Sequence, residues 1–188
     1  LNKTVSPSMD ILVSSNLERL LYDVTEHDAE QVAEWMKQLN TAGKYQVPPE
    51  VSDRVRDFFF AAWVDEAETR ETIGRVYNDH EYVLDPHTAV AWRAAQKYRL
   101  LSSDDSYIIV LSTASPYKFC STVLEGLGKA KDAGQFSPFE AAVKLSSETE
   151  LPVPRQVTAL ENMPVVHKDV IAAEEMARCI KKTLGIMG

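Results

Sequence analysis

The sequence predicts an α/β fold, and two observations carry that reading. Apolar residues recur at helical spacing through most of the chain, and short β-rich runs stand between those stretches, the clearest being Tyr107-Ile-Ile-Val-Leu111. Each run empties into small polar residues that open the next helix. Few strands are visible. The layout suits a helix-rich portion of a sheet protein, its sheet left incomplete because other strands come from elsewhere in a longer polypeptide.

Taken in order, Ile11 to Val13 is a short apolar run ending in Ser14, Ser15 and Asn16, where a helix begins with Leu17, Leu20 and Leu21 on one face. Asp28 to Leu39 reads as a helix with Ala29, Val32, Ala33 and Met36 inward; Gly43 and the Pro48-Pro49 pair punctuate the loop after it. Glu50 to Phe60 is a third helix with Val51, Val55, Phe58 and Phe59 inward, and the Phe58-Phe59-Phe60 run is expected in the core. Ala61 to Val64 reads as extended, and Asp65 to Asp79 as a helix with Ile73 and Val76 buried. Tyr82 to Leu84 is a short strand, and Asp85-Pro86 opens a helix with proline in its first turn. Tyr107 to Leu111 is a continuous apolar run of the kind buried on both faces. Ser112 to Pro116 then turns into a helix reaching Lys131, followed by a shorter helix over 139–148. Pro152, Pro154 and Pro164 break up an extended passage before an amphipathic helix from Ala172 to Leu184. We expect residues 1–135 to form part of a catalytic domain and 136–188 a C-terminal extension.

Composition narrows the function. At 188 residues with 45% hydrophobic and 26% charged residues, the chain can bury a sizeable core and reads as a water-soluble globular protein. A net charge of −8 argues against general binding to nucleic acid or an anionic membrane, so an anionic ligand needs a local positive seat. No apolar run reaches membrane-spanning length, and no secretory leader opens the chain, which suggests a cytoplasmic protein. Cys120 and Cys179 lack metal-ligand spacing and read as reduced, partly buried thiols; no metal site is expected.

Three loops look chemical, each joining a short apolar run to a helix start, where ligands bind in open α/β sheets. In the first, Ser15, Asn16 and Arg19 sit at a helix N-terminus, whose unpaired N–H groups and partial positive charge seat anions, with Arg19 adding a forked contact suited to phosphate. The same letters also spell a plain helix cap, since Ser15 and Glu18 make the S-x-x-E of a capping box. The second is Leu84-Asp85-Pro86-His87-Thr88-Ala89-Val90, where Asp85 and Thr88 can simply cap the helix and His87 can be a packed residue or a site residue. The third is Leu111-Ser112-Thr113-Ala114-Ser115-Pro116, with hydroxyls placed directly after a strand. Spacing alone goes no further.

In order and separation, these loops resemble the C-terminal part of the threonine synthase family. The resemblance rests on Ser8-Met9-Asp10 leading to Ser15-Asn16-Leu17-Glu18-Arg19, on Asp85-Pro86-His87-Thr88-Ala89-Val90, and on Leu111-Ser112-Thr113-Ala114 with Lys118-Phe119. It implies a pyridoxal 5'-phosphate enzyme of fold type II (tryptophan synthase beta-like) that converts O-phospho-L-homoserine and water to L-threonine and phosphate. It also implies residue roles. Ser15, Asn16 and Arg19 match the cradle for the substrate phosphate. Thr113 matches the hydroxyl that meets the pyridine nitrogen of the cofactor, with Ser112 and Ala114 beside it. Asp85 and His87 match a motif lining the substrate side of the same cleft.

Two departures matter. Family members often read His-Pro-Ala-Lys-Phe where this chain has Ser115-Pro116-Tyr117-Lys118-Phe119. The family's Schiff-base lysine belongs to an N-terminal segment that these residues do not match, so no catalytic lysine is assigned here and Lys118 reads as a cleft-wall residue. The expected partner is therefore the remainder of its own polypeptide, and the chain alone is expected to be inactive. Two alternatives stand beside this reading: a non-catalytic regulatory or interaction module derived from the fold, and another fold type II lyase.

Overall fold

Asp28, Asp65 and Ser137 each stand one residue before a helix and turn a side-chain oxygen back onto its free N–H groups. Asp65 with Glu68 and Ser137 with Glu140 form reciprocal capping boxes. The computed structural model describes residues 3–11 and 13–186, so Leu12, the middle of the expected apolar run at 11–13, lies outside the described residues. The helices are α1 (Ser15–Val24), α2 (Ala29–Ala42), α3 (Pro49–Phe58), α4 (Glu66–His80), α5 (Pro86–Ser102), α6 (Cys120–Gly126), α7 (Pro138–Thr149), α8 (Arg155–Glu161) and α9 (Met176–Thr183). Short 3₁₀ turns occur at Pro7–Met9 and Pro116–Lys118.

The chain divides into two compact units, Leu1–Val153 and Pro154–Gly188. The boundary expected after residue 135 runs between a 3₁₀ turn at Ala133–Gln135 and α7, both of which pack on α6. The first unit holds two apolar clusters. One joins α1 to α3 through Leu21, Val32, Trp35 and Val51, with Met36 and Tyr45 against them. The other gathers α4 to α7 around Ile73, Val76, Ala89, Val123, Leu124 and Leu145. Arg70 ties α4 to α6 by reaching Glu66 at 2.6 Å and Glu125 at 2.8 Å, and Glu68 ties α4 to Arg93 and Lys97 of α5. In the second unit, α8 and α9 bury no residues.

The structure corrects several expectations. No β-strand forms among the described residues. The Tyr107–Leu111 run, expected to be buried on both faces, has Tyr107, Ile109 and Leu111 exposed at 102%, 85% and 72%. Only Ile108 and Val110 turn partly inward. A strand needs partners for its backbone N–H and C=O groups, and none of the described residues supplies them. Phe58, Phe59 and Phe60 are exposed rather than core, because α3 stops at Phe58 and its inward face is used up by Val51 and Val55. In α2 the residue missed as core is Trp35; Ala29 and Ala33 face out. The helix expected to run to Lys131 ends at Gly126, where Leu127 caps it, Gly128 takes a left-handed conformation and the Lys129 N–H returns to the Leu124 carbonyl. An unanticipated helix, α8, begins after Pro154.

Candidate functional site

Asp85 begins the site. It caps α5, its carboxylate is buried, and Pro86 behind it supplies the fixed φ of a first helical residue. One oxygen, Oδ1, accepts the His87 N–H at 2.9 Å, the His87 ring Nδ1–H at 3.0 Å and the Thr88 N–H at 3.4 Å. The other, Oδ2, accepts the Thr88 hydroxyl. A buried carboxylate needs such donors on both oxygens, and here it has them.

These bonds fix the imidazole. Nε2 of His87 accepts the backbone N–H of Ser8 at 3.1 Å, so it must carry a lone pair, and the ring proton belongs on Nδ1 facing Asp85. The edge-to-face ring of Phe119, 4.7 Å away between centroids, closes a third side. Both nitrogens of His87 are therefore spent within the protein.

The Ser8 amide belongs to a folded segment. Thr4 gives its N–H and hydroxyl to Asp10 at 2.7 and 2.8 Å, and the Val5 N–H reaches Glu66 of α4 at 2.6 Å. Met9, His87 and Thr113 then line one cleft of about 450 Å³. Its walls include Val90 and Ala91 of α5 and Leu111. A neighbouring cleft of about 390 Å³ is lined by Tyr82, Thr88, Trp92 and Ser112. Successive residues of the 111–113 loop serve different clefts, as the alternation of an extended chain requires. Ser112 Oγ lies 3.4 Å from both the Tyr82 and Thr88 hydroxyls.

Of the residues singled out from sequence, the structure brings Asp85, His87, Ser112 and Thr113 together, with Ala114 half-buried next to them. Ser15, Asn16 and Arg19 stand elsewhere, exposed on the first turn and a half of α1. The capping-box reading there is corrected: the N-cap is Ser14, whose Oγ accepts the Leu17 N–H at 3.3 Å, and Ser15 is already helical. Arg19 hydrogen-bonds the Asn16 side chain instead. Lys118 is exposed at the end of its 3₁₀ turn, beside the buried Tyr117, whose hydroxyl meets the Leu151 carbonyl. Cys120 is free and buried, and burial pushes its thiol up to about 11, so it is no nucleophile at neutral pH. Cys179 is also free. No cluster of metal-ligating side chains occurs among the described residues. Sequence reasoning passed over Tyr82, which stands two residues before Leu84, the start of a quoted motif, and whose hydroxyl only the folded chain turns toward Ser112; Phe119 was quoted with Lys118 but given no role of its own.

Residues 88–180 match the family model described as threonine synthase, C-terminal. Threonine synthase of Pseudomonas aeruginosa is 40% identical over 131 residues, which cover 69% of this chain and 28% of that protein. The chain belongs to the threonine synthase family. It corresponds to the family's C-terminal part and spans about 28% of the length of that relative. Among solved structures, the threonine synthase from yeast is similar at a TM-score of 0.72 and 31% identity, covering 98% of this chain and 37% of that one. The threonine synthase from Brucella melitensis, solved with pyridoxal phosphate bound, gives a TM-score of 0.62 at 35% identity over 68% of this chain and 27% of that one. Among the described residues no helix is long and apolar enough to cross a membrane.

Proposed function

We propose that this chain forms one wall of the active site of a cytoplasmic, pyridoxal-phosphate-dependent threonine synthase of fold type II. In that reading the whole enzyme converts O-phospho-L-homoserine and water to L-threonine and phosphate. The observation that carries it is the meeting of Met9, His87 and Thr113 at one cleft. Met9, His87 and Thr113, far apart in sequence and each in or beside a segment of the family pattern, thus meet at a single concave surface, while Ser15, Asn16 and Arg19 do not line it.

The residues present fit the cofactor. Thr113 is exposed on the cleft wall and offers a neutral hydroxyl to a pyridine nitrogen. When bound there, pyridoxal phosphate supplies an electron sink for charge developing next to the substrate amine. A hydroxyl partner does not force a proton onto the ring, so Thr113 tempers that sink where a carboxylate would enforce it. Ser112 and Ala114 shape the adjoining backbone. At the other end of the substrate, Ser15, Asn16 and Arg19 crown the ten-residue helix α1, exposed and close together. There the helix N-terminus and a guanidinium act together on the phosphate that leaves. Asp85 and His87 shape the substrate side of the cleft.

The lysine that binds the cofactor is assigned to the rest of the polypeptide, so the chain alone should be inactive. Mixed with pyridoxal phosphate, it should show no stable visible band near about 410–430 nm. Such a band, abolished by Lys118→Ala, would move the lysine into this chain and overturn the assignment. In the complete polypeptide, Arg19→Ala should weaken O-phospho-L-homoserine binding about tenfold or more, the cost of a lost charge-assisted contact. Unchanged affinity would sink the cradle.

A further inference from the structure

The His87–Ser8 hydrogen bond has a chemical condition attached to it. Ser8 is the middle residue of the 3₁₀ turn Pro7–Met9, and its N–H comes before the first bond of that turn, which runs from the Met9 N–H to the Ser6 carbonyl. The Ser8 N–H finds the Nε2 lone pair of His87 across 79 residues of sequence. That lone pair exists only while the imidazole is neutral. A proton on Nε2 would set two donors face to face, and the bond that holds Ser8 would become a repulsion.

We infer that the Asp85–His87 pair is a proton-sensitive latch: His87 positions the Ser8–Met9 turn on the cleft wall when neutral and releases it when protonated. His87 is thus a positioning residue. The inference needs only the latch geometry and stands apart from the reaction proposed above.

The surroundings favour such a coupling. Asp85, at 3.0 Å from Nδ1, keeps the ring proton of neutral His87 on that nitrogen and leaves Nε2 as the acceptor. The Ser8 N–H favours the neutral ring and the docked state. By linkage, docking the turn and binding the proton oppose each other. The other charged groups act on the segment rather than on the ring. Asp10 holds Thr4 from within the segment, and Glu66 of α4, itself paired with Arg70, holds the Val5 N–H. From the remaining neighbours the ring meets Phe119 and shares its cleft with Thr113, neither of them charged. Release should therefore be local: residues 4–5 stay tied to Asp10 and Glu66 while Ser8 and Met9 let go. Met9 also lines the cleft with Thr113, so the latch sets the shape of that wall.

Two measurements on the 188-residue chain test this. In long-range proton–nitrogen NMR spectra at about pH 7.5, where an imidazole is free to be neutral, the His87 ring should carry its proton on Nδ1. A proton on Nε2 overturns the latch without any variant. Amide exchange of Ser8, corrected for its intrinsic pH dependence, should then lose about fivefold protection over whatever pH range the same spectra show the His87 ring taking up its second proton, the loss of one hydrogen bond. Val5 should lose little. In His87→Gln, whose amide oxygen accepts without titrating, Ser8 protection should no longer depend on pH. Constant protection in the wild type, or the same pH dependence in the glutamine variant, would overturn the proposal.

Discussion

Gly74 of α4 and Gly126 of α6 meet backbone to backbone: a Cβ built on Gly74 would lie 2.5 Å from the Gly126 carbonyl oxygen. The reverse fit is as tight, with a Cβ on Gly126 falling 2.9 Å from the Cβ of Ile73. This approach lets Ile73, Val123 and Leu124 close the second apolar cluster and brings Glu125 within reach of Arg70. The clash at Gly74 is with backbone, and at Gly126 with the Ile73 Cβ and the Arg70 carbonyl oxygen, none of which can swing aside as the far end of a side chain can.

Gly74→Ala and Gly126→Ala should therefore each destabilise the chain by about 2 kcal/mol, overpacking outweighing the gain in helix propensity. Gly128 is a useful contrast. Nothing lies near its absent Cβ, but its φ of 68° is left-handed, so Gly128→Ala should cost only about 1 kcal/mol of backbone strain. Urea unfolding followed by circular dichroism measures all three. Neutral substitutions at positions 74 and 126 would show that the two helices can part without loss.

Asp85→Ala removes more than a helix cap. The cap alone is worth about 1 kcal/mol. The His87 and Thr88 N–H groups and the Thr88 hydroxyl would in addition be left buried without an acceptor. A total near about 3 kcal/mol is expected from those unmet donors, and Asp85→Asn, which keeps an acceptor at Oδ1, should recover at least half. Equal losses in the two variants would mean that the second carboxylate oxygen, toward the Thr88 hydroxyl, carries the effect.

Much of this helical frame was legible in the sequence, because caps are local chemistry. Asp28, Asp65 and Asp85 mark their helices within one residue of where the chain folds them. The first helix shows the limit of such letters: Ser14 and Ser15 are equally able caps, and only the backbone at Ser14, extended rather than helical, decides between them. Strands were misread for a different reason. Tyr107–Leu111 has β-type residues, but a strand is a relation between chains, and the described residues offer it no partner. The contact of Ser8 with His87, and the meeting of Met9, His87 and Thr113 at one cleft, were not legible in the sequence. No periodicity announces a hydrogen bond across 79 residues.

Acid should loosen the α4–α5 seam in a defined order. The Lys97 ammonium, with the Asp65 N–H and Arg93, holds Glu68 below the usual carboxylate range. A depressed pKa contributes stability that is present above the unfolded value and disappears as pH falls through the folded one. Glu68→Gln should thus be less stable than wild type at neutral pH, with the difference vanishing below the ordinary glutamate range, near about pH 4. Asp104 follows the same sign further down. Ser106, through its hydroxyl and N–H, and the Tyr98 hydroxyl hold it at about 2, so it should stay ionised at a pH where most aspartates have taken up a proton. Carboxyl carbon shifts in an NMR titration read Asp104 directly. A midpoint near about 4, the ordinary aspartate value, would contradict the cluster at the end of α5.

The exposed face of the Tyr107–Leu111 run predicts how the isolated chain behaves. Tyr107, Ile109 and Leu111 are largely exposed, Ile109 and Leu111 at the edge of a cleft, while the half-buried Ile108 and Val110 line clefts against α5, so much apolar surface of the run is open to water. Among the described residues the backbone of this run also finds no backbone partner, and together these features template association with a similar edge. The chain should therefore form dimers or larger species at roughly 100 μM, a range in which unpaired apolar edges aggregate. Tyr107→Lys combined with Ile109→Lys should return it to a monomer, because charge at exposed positions of such an edge opposes stacking. Helical circular dichroism should be unchanged, since neither residue belongs to a helix. Light scattering coupled to size-exclusion chromatography separates the outcomes. A monodisperse wild-type chain would favour a self-standing module that tolerates this face in water, and would count against its burial by the rest of a larger enzyme.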